Sequence, residues 1–163
     1  MDVVVDANII VEWLFFQDRY AGDIINLNKR AQLRILMSDQ IRKDWSAGFC
    51  HGYKEIFDPN DPNSNNLLYR SVDGFTRILS YTYKVDITDN GKYSIDPGDD
   101  KYVQCAIEHG AEYIISCDGD HLNALHEKYK NCNGIKIKIL SPYQFLNVFK
   151  LINSKFKISN FQR

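Results

Sequence analysis

The sequence predicts an α/β fold, a three-layer α/β/α domain around a mostly parallel central sheet. Two observations carry that reading. Short apolar runs near residues 2–5, 33–37, 113–116 and 135–140 alternate with stretches of helical periodicity, the pattern of right-handed βαβ units. Acids also follow directly on two of those runs, Asp6 after Val3-Val4-Val5 and Asp118 after Tyr113-Ile114-Ile115. A parallel sheet collects its ligands outside the carboxyl ends of its strands, where both acids would stand.

Taken in order, Asp2 to Val5 is the first strand. Asn8 to Phe16 reads as a largely buried helix, and Ala21 to Ala31 as a second, more polar one. Leu33 to Met37 is the second strand, and Ser38 is a sound N-cap for a helix running through Trp45, Phe49 and Tyr53. Residues 58–66, broken by Pro59 and Pro62, are too polar to pack and predict an exposed loop between two helices. Leu67 to Tyr81 follows as a helix with Leu68, Val72, Phe75 and Leu79 on one face. Tyr83 to Thr88 suits a strand, and Asp89-Asn90-Gly91 a turn.

Asp96-Pro97-Gly98 has turn chemistry, and Asp99 or Asp100 is placed to cap the helix that follows. Val103, Ala106, Ile107 and Gly110 recur at helical spacing, so a narrow face of small residues packs inward. Gly110 can take the left-handed conformation that ends such a helix. Beyond Ser116, His121 to Lys130 reads as a short helix. Ile135 to Leu140 alternates cleanly as an edge strand whose lysines discourage stray pairing. Ser141-Pro142 opens a last helix that packs through Phe145, Val148 and Phe149. The domain is expected over 1–149. The tail 150–163 is basic, with Lys150, Lys155, Lys157 and Arg163 beside Phe156 and Phe161, and is expected to fray unless it touches RNA.

With 163 residues, 44% of them apolar, the chain has the core for one domain, which excludes disorder. Twenty basic residues against 21 acidic ones leave a net charge of −1, which excludes a protein that coats nucleic acid by bulk charge. It does not exclude a nuclease, because an acidic site subtracts charge where a basic surface adds it. No apolar run approaches the ~20 residues of a membrane span, and no signal peptide precedes the first strand. Cys50, Cys105, Cys117 and Cys132 form no CxxC pair. Cys105 and Cys117 are expected as reduced core thiols of a cytoplasmic protein.

Each acid alone is explained by capping or by a solvated loop. Asp6, Asp100 and Asp118 together are not, since three carboxylates in one crevice repel one another unless a cation compensates them. Oxygen-only ligands favour a hard ion such as Mg²⁺ or Mn²⁺. No Ser–His or Cys–His pair is spaced for a covalent route, so the expected nucleophile is water.

In order and spacing, three motifs resemble the PIN-domain ribonucleases: Asp6-Ala7-Asn8 after the first strand, Asp99-Asp100 before a helix, and Ser116-Cys117-Asp118-Gly119-Asp120 after a later strand. The similarity runs from about Val3 to about Leu146, and the nearest subgroup is that of the toxin components of toxin–antitoxin pairs. The resemblance implies a PIN-like (Rossmann-like) fold and Mg²⁺- or Mn²⁺-dependent hydrolysis of RNA, leaving a 5′ phosphate and a 3′ hydroxyl. It makes Asp6, Asp100 and Asp118 the catalytic and metal-holding residues, with Asn8 steadying Asp6 and with Ser116 and Asp120 in support. Asp99 takes the place of Asp100 if the helix begins one residue earlier. Counting from Ser38, Asp44 falls where the family carries a Glu, one methylene shorter. His121, directly after Asp120, is a candidate accessory base or phosphate contact on its own chemistry, not on the resemblance, since the family usually has an apolar or aromatic residue near this position. The implied partners are single-stranded RNA, an antitoxin protein and a second copy in a homodimer, with no membrane.

Other readings fit less well. A haloacid-dehalogenase-like phosphatase needs a second Asp where Asn8 stands, and a receiver domain needs paired acids after strand one and a late lysine. The alternative of another class is a non-catalytic PIN fold acting as an RNA or protein adaptor. The shortened Asp44 is its one sign.

Overall fold

A computed structural model describes residues 1–88, 97–118 and 137–160, the last six by backbone alone. Its sheet comprises β1 (Asp2–Val5), β2 (Arg34–Met37), β3 (Tyr83–Lys84), β4 (Tyr113–Ile115) and β5 (Lys138–Leu140). Every described pairing is parallel, in the order β3-β2-β1-β4-β5. Val3, Val4 and Val5 are fully buried in succession, as are Ile114 and Ile115. Successive side chains point to opposite faces, so both faces of the sheet are covered and the fold has three layers. The chain steps outward from β1 to β2 and β3, then crosses back to β4 on the other side of β1. The switch point therefore lies between β1 and β4, where Val5 stands opposite Ile115.

Local chemistry sets most helix ends. α1 (Ala7–Phe15) starts directly from β1, and α2 (Arg19–Lys29) is capped by the Asp18 carboxylate, which accepts from the Ala21 N–H at 2.7 Å. The Ser38 hydroxyl caps α3 (Asp39–Ile56) as expected, accepting from the Ile41 N–H at 3.2 Å. α4 (Ser64–Tyr81) follows a loop of two Asx turns, in which Asn60 and Asn63 donate to Asp58 and Asp61 at 2.8 and 2.9 Å. α5 (Asp100–His109) ends on Gly110 at φ 68°, the left-handed cap. α6 (Pro142–Asn160) opens with a reciprocal box: the Ser141 hydroxyl accepts from the Gln144 N–H at 3.3 Å, and Gln144 Oε1 accepts from the Ser141 N–H at 2.9 Å. No described helix is long and apolar enough to cross a membrane.

Several expectations are corrected. Of the expected inward stripe of α4, Phe75 and Leu79 pack against the core, but Val72 is 44% exposed, and Ser71 and Ile78 are the buried residues. Val72 is left outside because α4 meets α1 closely through Ser71 and Gly74. A Cβ on Gly74 would come 2.7 Å from Leu14 Cδ2, and the Ser71 hydroxyl donates to the Leu14 carbonyl at 3.4 Å. β3 is two residues long rather than six. The Val85 N–H still reaches the Met37 carbonyl at 3.1 Å, but the chain then leaves the sheet, and the Thr88 N–H meets Glu108 Oε2 at 2.9 Å. Cys105 is buried as expected, whereas Cys117 is exposed because β4 ends two residues before it. The last helix passes Phe149 and continues to Asn160. The expected turn at 89–91, the helix at 121–130, the first two residues of the strand at 135–140, and Cys132 lie outside the described residues.

Candidate active site

Asp6 leaves β1 at the switch point, its backbone N–H donating to the Ile115 carbonyl at 3.0 Å. The side chain turns into the protein and is 8% exposed. Its Oδ2 accepts from the Ser116 hydroxyl at 2.6 Å and from Asn8 Nδ2 at 2.8 Å. Asn8 Nδ2 also reaches Ser116 Oγ at 3.1 Å, and Asn8 Oδ1 accepts from the Cys117 N–H at 3.1 Å. Ser116 Oγ accepts in turn from the Asp118 N–H at 2.9 Å. The exits of β1 and β4 are thereby sewn into one unit by Asp6, Asn8 and Ser116. Burial pushes the Asp6 carboxyl above its ordinary pKa, and the nearby Asp44 adds to that; hydrogen bonds from Ser116, Asn8 and Tyr102 offset part of it.

A second unit lies on α3 and α5. Trp45 is fully buried and donates its indole N–H to the Val5 carbonyl at 3.0 Å, which sets the preceding residue, Asp44, beside the exit of β1. Tyr102, in the first turn of α5, is also fully buried. Its phenol donates to Asp44 Oδ2 and accepts from the Ala7 N–H at 3.1 Å. Burial, and then the Asp6 and Asp44 charges, hold that phenol far above the ordinary tyrosine pKa, so it stays protonated as a donor. Lys101 Nζ lies 3.1 Å from Asp44 Oδ2, donates to the Gly98 carbonyl and sits 4.7 Å from the centroid of the Tyr102 ring. Tyr102 joins the two units, because its phenol stands between Asp44 and Asp6.

Asp99 occupies the N-cap position of α5, although its side chain makes no capping hydrogen bond, and Asp100 is the first helical residue. Both are half-buried, as is Asp118 beyond β4. Asp120 and His121 lie outside the described residues. Tyr102 and Lys101 are absent from the sequence reading. The available signal was Tyr102 itself, an aromatic with a polar tip one turn after Asp99. Two cavities, of about 440 and 360 Å³, lie between α2 and α6 and beside α1, α2 and α4. None of the candidate acids lines either of them.

Among the described residues, no group of three or more His, Cys, Asp or Glu side chains is placed to hold a metal ion. The donors at this end of the sheet nevertheless suit one class of ion: Asp6, Asp44, Asp100 and Asp118 supply oxygens only, as hard divalent cations prefer. A family model, the PIN domain, matches residues 2–120, from β1 past the exit of β4. No curated protein and no solved structure matches the chain.

Proposed function

The chain belongs to the PIN domain family, whose members are generally nucleases that use divalent metal ions, and from that premise we propose that it is an endoribonuclease hydrolysing RNA phosphodiester bonds. The observation that carries the reading is Asp6, an acid buried at the switch point whose hydrogen bonds do not offset its burial. A carboxylate kept in such a place is explained by a positive partner that arrives from outside.

Mg²⁺ or Mn²⁺, held by Asp6, Asp100 and Asp118, would supply charge against the phosphate and the acidity that makes water a nucleophile. The chain's own residues prepare the place. Ser116 and Asn8 both bond Asp6 Oδ2, which fixes the turn of the carboxylate. Tyr102 holds Asp44, the shorter stand-in for the family Glu, toward the same end of the sheet. Single-stranded RNA is the proposed substrate, since unstacked bases are more easily seated at the carboxyl ends of β1 and β4 than a duplex is. The proposed setting is that of the toxin of a toxin–antitoxin pair, in which expression of the wild type arrests growth and expression of Asp6→Asn does not.

The test compares wild type with Asp6→Asn, both verified as folded, on mixed RNA with Mn²⁺ and with chelator. Cleavage by wild type alone, abolished by chelator, is the expected result. Equal cleavage by both proteins, or cleavage that persists in chelator, overturns the metal mechanism. No cleavage by either points to a non-catalytic binding domain.

A further inference from the structure

We propose that Lys101 is the resident counter-cation of the acidic crevice, held where a divalent ion must compete with it, so that it sets how tightly the ion is bound. The inference rests on the metal-dependent reading above and concerns how that same site is regulated.

Lys101 is not an ordinary surface lysine. Its side chain is 18% exposed and is held from three sides: by Asp44 Oδ2 at 3.1 Å, by the Gly98 carbonyl, and by the face of the Tyr102 ring 4.7 Å away. A solvated lysine keeps its head in water and its pairings are loose. Here the ammonium ties the 97–99 turn and the start of α5 to Asp44 on α3, across the end of the sheet where Asp6 is buried.

The chemistry follows from the donors around Asp44. Its Oδ2 already accepts from the Tyr102 phenol, so with Lys101 the oxygen has two donors. Asp44 also presses on Asp6, and the Lys101 charge relieves the crowding of the two carboxylates. A divalent ion among these acids would meet that ammonium, held on the neighbouring Asp44, as a like charge. Charges so placed, at a site screened only partly by solvent, repel strongly. The ion must therefore enter against Lys101 or displace it from Asp44. The metal-free chain is stabilised and the loaded one is disfavoured, which leaves occupancy responsive to the concentration of free metal.

Lys101→Met retains the stem that lies on Tyr102 and removes the charge, while Lys101→Arg retains the charge. Mn²⁺ affinity is read by titration calorimetry, and thermal stability is read in chelator and in Mn²⁺, without reference to RNA cleavage. Lys101→Met is expected to bind Mn²⁺ about tenfold more tightly, to melt lower than wild type in chelator, and to gain more from Mn²⁺. Lys101→Arg is expected to stay near wild type, and so is Lys150→Met, which removes an exposed charge from α6. If wild type binds Mn²⁺ and Lys101→Met binds it no more tightly, this inference falls while the metal reading stands. Equal tightening by Lys150→Met also overturns it, as a bulk effect of charge. If neither wild type nor Lys101→Met binds Mn²⁺, both readings fall together.

Discussion

Trp45 and Val5 share one buried bond, indole N–H to carbonyl at 3.0 Å, and each is the chain neighbour of an acid of the crevice. Asp44 is thereby positioned by Trp45, and Asp6 by the strand that Val5 ends. Trp45→Phe retains an aromatic filler but leaves the Val5 carbonyl without its indole donor. The variant is expected to lose about 1–3 kcal/mol in chemical denaturation. Cleavage should fall about tenfold at temperatures where both proteins are folded, because Asp44 is no longer fixed. A stability loss with full activity would show that Trp45 serves only the core.

Asp6 makes stability depend on pH in a definite direction. Its folded pKa lies above the ordinary 3.8, so the folded chain keeps this proton longer than the unfolded chain does. Stability is highest below that ordinary value, declines as pH rises through the window up to the raised folded value, and stays lower above it. Asp6→Asn carries no such penalty. In chelator its melting temperature should draw level with wild type near pH 3 and exceed it at pH 7. A difference that does not change with pH would contradict the burial of this charge.

Tyr102→Phe removes the hydroxyl that donates to Asp44, accepts from the Ala7 N–H and helps to offset the burial of Asp6. These partners remain near the buried end of β1, so the expected destabilisation is about 1–3 kcal/mol. RNA cleavage should fall with kcat affected more than KM, since the phenol positions Asp44 rather than the substrate. Steady-state kinetics beside a urea titration separates the two effects.

Gly110 is a cleaner case. It sits at φ 68°, and a Cβ there would meet nothing within 4 Å, so Gly110→Ala introduces backbone strain and no clash. The expected loss is about 1–2 kcal/mol, with Gly110→Asn milder because asparagine tolerates the left-handed region. Differential scanning calorimetry of the two variants tests the ordering.

Cys117 is exposed yet is a poor nucleophile at neutral pH. Partial burial first, and then the Glu12, Asp18 and Asp6 carboxylates, push its thiol up to about 11. Alkylation at Cys117, followed by peptide mass spectrometry, should climb about tenfold per pH unit from 7 to 10 without a plateau. A plateau near pH 8 would place the thiol in a less acidic neighbourhood than this one.

The sheet is legible in the sequence because strands buried on both faces need no alternation, and Val3-Val4-Val5 and Tyr113-Ile114-Ile115 are of that kind. Ser38, Gly110 and Ser141 declare helix ends through chemistry confined to a few neighbouring residues. The face of α4 is legible only in part: Phe75 and Leu79 pack on the core as their periodicity implies, while the contact with α1 turns Ser71 and Gly74 inward in place of Val72. Asp6 and Asn8 stand out because they follow a strand at once. Tyr102 and Lys101 do not, because neither is an acid and the hydrogen bond that gives Tyr102 its role spans 58 positions of chain. Such a role exists only once α3 and α5 are packed.

Ser116 and Asp6 are 110 positions apart and share a 2.6 Å bond. A ribosome adding about 5–20 residues per second needs about 5–20 s to cover that distance. Until then the nascent chain carries Asp6 with neither the Ser116 hydroxyl nor the β4 backbone to seat it. The crevice comes into being late in synthesis, when β4 docks beside β1. A truncated product released before β4 is made carries Asp6 without the Ser116 hydroxyl and the Ile115 carbonyl that seat it in the folded chain.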